Sequence, residues 1–131
     1  MKILLVEDKD SLRQMLATAI KKAGYRVDEA ADGNIAAEKI RKQPYQLVIT
    51  DLRLPTLSGI EILKLQKEID PTIPVLLMTA YGSIEDAVEA MKQGAFDFVP
   101  KPVDLSHLLL LINRALEQHR QIGRASCRER V

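Results

Sequence analysis

Short aliphatic runs that stop on charged or hydroxyl-bearing residues constrain this chain more than any other feature. Ile3-Leu4-Leu5-Val6 stops at Glu7-Asp8, Val48-Ile49-Thr50 at Asp51, and Val75-Leu76-Leu77-Met78 at Thr79. Runs that are apolar without alternation read as strands buried on both faces, the signature of a parallel sheet covered by helices. In such a sheet ligands gather just beyond the carboxyl ends of the strands. The residues that end each run are therefore the first candidates for chemistry.

The intervening segments carry the helical period. The first strand, Lys2 to Val6, is followed by a stripe of Leu12, Met15, Leu16, Ala19, Ile20 and Ala23, which predicts a helix from about Ser11 to Ala23. Asp10 or Ser11 is expected to cap it, and Gly24 to end it. Tyr25 to Ala30 is a weaker strand, Asp32-Gly33-Asn34 a turn, and Ile35 to Lys42 a short helix stopped by Pro44. After the strand Gln46 to Thr50 comes a helix from Gly59 to Glu68, with Ile60, Leu63 and Ile69 on one side. The strand Val75 to Met78 leads to a helix from Ser83 to Gln93, where Ser83 and Asp86 are spaced as a capping box. Phe96 to Val99 is the last strand, and Asp104 caps a final helix running to about His119. Five alternating βα units predict an α/β fold.

The bulk numbers bound the function classes. A chain of 131 residues is one domain with a proper core. Its net charge of +1 provides no field to draw it to nucleic acid, and no apolar run is long enough to span a membrane. The lone cysteine, Cys127, fits a reducing, cytoplasmic setting. Residues 1–121 form the expected domain. Residues 122–131, which include Gly123-Arg124-Ala125-Ser126-Cys127-Arg128-Glu129-Arg130-Val131, read as a linker start or an expression-vector remnant.

The strand ends collect Glu7, Asp8, Asp51, Thr79 and Lys101 on one edge of the sheet. Three carboxylates brought together repel unless a cation intervenes. An oxygen-only set without His or Cys suits Mg²⁺. Such an ion keeps Asp51 ionised, Lys101 adds a second positive charge, and the Thr79 hydroxyl can donate to a bound oxygen. Together these suffice for phosphoryl transfer onto a carboxylate, which needs mainly positioning and charge neutralisation.

In order and spacing, Glu7-Asp8, Asp51 with Pro55 and Gly59, Thr79-Ala80 and Lys101-Pro102 resemble the receiver domain of bacterial two-component response regulators. The resemblance covers residues 2 to about 119. It implies a flavodoxin-like (βα)5 fold, with a five-stranded parallel sheet of order 2-1-3-4-5 and helices on both faces. It makes Asp51 the phosphoacceptor for a sensor histidine kinase. Asp8, Asp51 and the Arg53 backbone carbonyl become Mg²⁺ ligands, and Glu7 acts through a metal-bound water. Thr79 and Lys101 contact the phosphoryl group. Thr79 and Phe98 form the switch, with Phe98 where many members have Tyr, so switching must rest on ring packing. Arg53 and Tyr81 flank the water that hydrolyses the acyl phosphate and, being bulky, should lengthen its lifetime. Ala80 to Phe98 further resembles receivers of the nitrogen-regulator type, which control an attached output domain that activates transcription with an alternative sigma factor. That resemblance implies neither direct nucleic-acid contact by this domain nor membrane contact.

Each residue also has a plainer reading. Glu7-Asp8 could be an acidic helix start, Thr79 a strand-end hydroxyl, Lys101 surface charge and Phe98 core; their combination with Asp51 favours the site. Leu108-Leu109-Leu110-Leu111-Ile112 is apolar most of the way round its helix, which fits generous core packing or, with Ile84 to Met91, an output and phosphorylation-dependent homodimer face. Among competing functions, an aspartate-nucleophile phosphohydrolase would need an acid/base carboxylate where Arg53 stands. The domain is therefore expected to take part in phosphotransfer and its own slow dephosphorylation without turning over a substrate. A flavin module would need a hydroxyl- and Gly-rich phosphate loop where Glu7-Asp8-Lys9-Asp10 lies. The remaining alternative is a receiver-shaped interaction domain that is not phosphorylated.

Overall fold

The computed structural model describes residues 2–80 and 84–129, with 119–129 as backbone alone. Five strands, β1 (Lys2–Val6), β2 (Arg26–Ala30), β3 (Leu47–Asp51), β4 (Val75–Thr79) and β5 (Asp97–Pro100), alternate with helices α1 (Asp10–Lys22), α2 (Gly33–Lys42), α3 (Gly59–Ile69), α4 (Ile84–Lys92) and α5 (Leu105–Glu129). All strand pairs are parallel and the order is β2-β1-β3-β4-β5, as expected. The Lys101–Pro102 peptide is cis.

Alternate residues of each strand feed two separate cores. Ile3, Leu5, Leu47, Ile49, Leu76, Met78 and Val99 pack with Leu16, Ala17 and Ile20 of α1 and Leu108, Leu111 and Ile112 of α5. Leu4, Val6, Val48, Val75 and Leu77 face the other way, onto Ala36 and Ile40 of α2, Ile62 and Leu63 of α3 and Ala90 of α4. A sheet with helices on both faces needs apolar residues at every strand position, which is why these runs do not alternate.

Several local expectations are corrected. The N-cap of α1 is Lys9, with no side-chain cap; Asp10 lies within the first turn, and Ser11 does not cap. Ala17 is buried in the stripe of α1, whereas Met15 is 49% exposed. On α3, Ile62 and Leu63 are buried and Ile69 is turned out, because the face that meets the sheet is centred one position away from the expected stripe. The cap of α3 is Ser58, which accepts from the Glu61 N–H at 3.3 Å. Asp104 does cap α5, accepting from the N–H groups of Ser106 and His107 at 3.0 and 3.3 Å. In α5, Leu108, Leu111 and Ile112 are core and Leu110 is exposed. Its backbone continues to Glu129, beyond the expected end near His119, through residues that include the good helix formers Arg, Gln, Ala and Glu. The proposed Ser83 capping box and Tyr81 lie outside the described residues.

Candidate functional site

Strand register builds the site. Asp51 ends β3, the central strand, and is 7% exposed. On one side β1 pairs Val6 with Thr50, which brings Glu7 to the level of Asp51. On the other, Asp51 pairs with Met78, so Thr79 follows at the same edge. Thr79 pairs with Pro100, and the Lys101 N–H donates to the Thr79 carbonyl at 2.7 Å. Four strand ends thus deliver Glu7, Asp8, Asp51, Thr79 and Lys101 to one edge, as the alternation of strands and helices implied.

The charges interlock. Lys101 Nζ donates to Asp51 Oδ2 at 2.6 Å and to Glu7 Oε1 at 2.7 Å. Glu7 is fully buried, and its Oε2 accepts from the Lys9 N–H at 3.1 Å. Burial pushes the Glu7 carboxyl above its ordinary range; the Lys101 and Lys9 hydrogen bonds pull it down, and Asp8 and Asp51 push it up again. Burial works against the Lys101 ammonium, but its bonds to Asp51 and Glu7 outweigh that and hold it above the usual lysine value. The ammonium is therefore the resident cation of the cluster.

One ligand oxygen from each of Glu7, Asp8 and Asp51 can lie within 4.8 Å of the others. Asp8 is exposed and Asp51 nearly buried, so the set opens to solvent on one side. An oxygen-only cluster of this kind fits a hard divalent cation such as Mg²⁺.

The loop after β3 closes around this point. The Arg53 N–H donates to Asp51 Oδ1 at 3.3 Å, and the Gly59 N–H to the Leu52 carbonyl at 2.8 Å. A Cβ at Gly59 would lie 2.4 Å from the Asp51 carbonyl oxygen, so only glycine lets α3 start this close to the site. The Arg53 guanidinium instead points outward to Asp86 of α4, at 3.7 Å. Phe98 stands apart from the carboxylates. It pairs with Leu77 and is 37% exposed, which removes the reading of it as plain core.

Sequence patterning does not announce the direct Lys101–Glu7 contact or the contact of Arg13, whose Nη1 donates to the Glu7 carbonyl at 2.9 Å. Arg13 carries a weak signal in the sequence, as a charged residue flanking the α1 stripe. Nothing in the sequence points it at Glu7.

Comparison with known proteins agrees with this fold. The family model of the response regulator receiver domain matches residues 3–113. The transcriptional regulatory protein ZraR of Klebsiella oxytoca is 44% identical over 118 residues, covering 90% of this chain and 27% of that protein. The regulatory protein AtoC of Escherichia coli (strain K12) is 41% identical over 116 residues, covering 88% and 25%. The chain thus spans about a quarter of the length of these curated relatives. Among solved structures, NtrX from Brucella abortus superposes with a TM-score of 0.90 at 32% identity, covering 95% of this chain and 28% of that one. A receiver domain protein from Clostridium thermocellum gives 0.88 at 31% identity, covering 92% and 98%.

Proposed function

Because the chain belongs to the response regulator receiver domain family, we propose that Asp51 accepts a phosphoryl group from the phosphohistidine of a sensor kinase. An Asp51 carboxylate oxygen attacks phosphorus, the P–N bond to histidine breaks, and a mixed anhydride remains on Asp51. The observation that supports this best is the Lys101 ammonium bridging Asp51 and Glu7 beside a third carboxylate, Asp8. Asp8, Asp51 and the Arg53 carbonyl would hold Mg²⁺ directly, and Glu7 through a water. Bound there, Mg²⁺ supplies positive charge against the carboxylates and the phosphoryl oxygens. Lys101 neutralises the opposite side of the group, and Thr79 donates to one of its oxygens. The low exposure of Asp51 restricts water near the anhydride. Bond turnover ends at the phosphorylated domain and its own slow hydrolysis, which is the behaviour of a switch.

Phosphorylation in this reading biases a two-state equilibrium of the α4-β5-α5 face, with Thr79 and Phe98 as the moving parts, to control an output domain that activates transcription. Among the described residues, Ile84, Val88, Met91, Phe98 and Leu110 supply five of the eight exposed large hydrophobic side chains, and all five lie on those three elements. Such a concentration favours association there, including a phosphorylation-dependent homodimer. Light scattering with and without a phosphoryl mimic measures this; an unchanged mass at high protein concentration counts against it.

Incubation with Mg²⁺ and a small acyl-phosphate donor, followed by intact mass measurement, tests the chemistry. A phosphoryl adduct is expected, lost in Asp51→Asn and absent without Mg²⁺. A wild-type chain that gains no adduct would return the site to an unphosphorylated interaction domain.

A further inference from the structure

Arg13 touches none of the groups assigned to phosphoryl chemistry by their side chains, yet it fastens the turn that carries two of them. Its Nη1 donates to the Glu7 carbonyl at 2.9 Å, its Nη2 to Asp10 Oδ1 at 2.7 Å and its Nε to Glu29 Oε1 of β2 at 3.3 Å. The side chain is only 13% exposed. An exposed surface arginine rarely holds one geometry, whereas this one is enclosed and spends its planar fork of donors in three directions.

The turn needs such a fastening. Glu7, Asp8 and Lys9 connect β1 to α1, which begins at Asp10 with Lys9 as an N-cap that offers no side-chain hydrogen bond. The Glu7 N–H is tied to the Ala30 carbonyl at 3.0 Å, and its carbonyl is tied by Arg13. Against this, Glu7, Asp8 and Asp51 repel one another, and a turn free to move would relax by carrying Asp8 away. A carbonyl held to α1 and, through Glu29, to β2 prevents that relaxation.

Resting on the cation site described above, we propose that Arg13 is a positioning residue for that site: by clamping the Glu7 carbonyl against Glu29 it holds the Glu7–Asp8 turn in the shape that binds a divalent cation. It touches neither the cation nor the phosphoryl group. Its removal should weaken cation binding while leaving the reaction of the loaded site intact. Lysine cannot replace it, because one ammonium does not reach the same fork of partners.

Titration of the full chain with Mg²⁺, followed by amide NMR shifts, reads the affinity directly, and acyl-phosphate modification at saturating Mg²⁺ reads the plateau rate. Arg13→Met should raise half-saturating Mg²⁺ by about 10-fold, the effect typical of losing an outer-shell support, with the plateau rate close to that of the wild type. Arg13→Lys should fall between. Should Arg13→Met fail to fold, Glu29→Gln, which loosens only the anchor on β2, carries the test, with a smaller rise in half-saturation. Unchanged half-saturation in a folded Arg13→Met or Glu29→Gln chain overturns the proposal, as does a lower plateau at unchanged half-saturation. A wild-type chain that binds no Mg²⁺ overturns the cation site itself, an outcome distinct from a normal wild type with insensitive variants.

Discussion

The Lys101 ammonium stands 2.6 Å from Asp51 Oδ2, across 50 residues of sequence, and it also holds the fully buried Glu7. Removing it strands two carboxylates in a largely buried place. Breaking one partner of a buried pair costs about 3–5 kcal/mol; because Lys101 itself is 20% exposed, about 2–3 kcal/mol is expected for Lys101→Met by chemical denaturation without metal. A divalent cation should offset part of that loss. The Mg²⁺-induced rise in Tm should therefore be larger in Lys101→Met than in the wild type, and equal rises would sink the idea that cation and ammonium share one cluster.

The buried Tyr45 and the partly exposed Asp28 form a second such relationship, away from the site. The Tyr45 hydroxyl donates to Asp28 Oδ2 at 2.7 Å, and Gln43 donates to both at 2.9 and 3.2 Å. Burial raises the Asp28 carboxyl, but the Tyr45 hydrogen bond and Lys2 outweigh it and hold it below its ordinary value. A depressed carboxylate contributes stability above its unfolded value of 3.8 and loses it as pH falls through the folded one. Tyr45→Phe should cost about 1.5–2 kcal/mol at pH 7, and the gap from the wild type should narrow below that value. Denaturation curves across that window check the sign; a constant gap would show that Asp28 ionisation is not involved.

Gly33 lies where the loop after Asp51 seats against α2. Its N–H donates to the Pro55 carbonyl at 3.2 Å, and a Cβ there would lie 2.4 Å from the Leu57 carbonyl oxygen. Helix propensity alone makes Gly33→Ala stabilising by up to about 1 kcal/mol. Steric crowding predicts the reverse, a loss of about 1–3 kcal/mol. A thermal melt decides between them by its sign.

The Arg53 side chain is 77% exposed and its contact with Asp86 is long, at 3.7 Å. Arg53→Ala should change global stability by less than ~0.5 kcal/mol. The same substitution should shorten the phosphoryl lifetime, because a bulky side chain two residues beyond Asp51 is removed. Decay rates of the adduct in the two chains give the comparison, and identical rates would remove Arg53 from the timing.

Much of the fold was legible because two periods dominate the chain. The alternation of strands and helices and both cores follow from continuous apolar runs alternating with helical stripes, whereas the strand order 2-1-3-4-5 is what the family resemblance implies. The less legible parts are those where one face of a helix competes with another. Ile69 falls on the predicted apolar side of α3 and is 48% exposed, while Ala17, outside the predicted stripe of α1, is buried. A helical stripe specifies a face only to within a residue, and the neighbouring elements choose the final rotation. Phe98 has the same origin: its apolar character suits a core, but its strand position turns it to the surface.

By itself the sequence determined which residues reach the carboxyl-end edge of the sheet, because a parallel sheet collects its strand ends wherever the strands stop. It also determined the oxygen-only character of the Glu7, Asp8 and Asp51 cluster, since the acidic residues at those stops are carboxylates with no His or Cys beside them. The tertiary structure decided who touches whom. That Lys101 bridges Asp51 and Glu7, and that Arg13 of α1 grips the Glu7 carbonyl while anchored on β2, depends on register and on helix rotation. Hydrogen bonds demand their partners to within a few tenths of an ångström, and no pattern of residue types along a chain carries distance at that resolution.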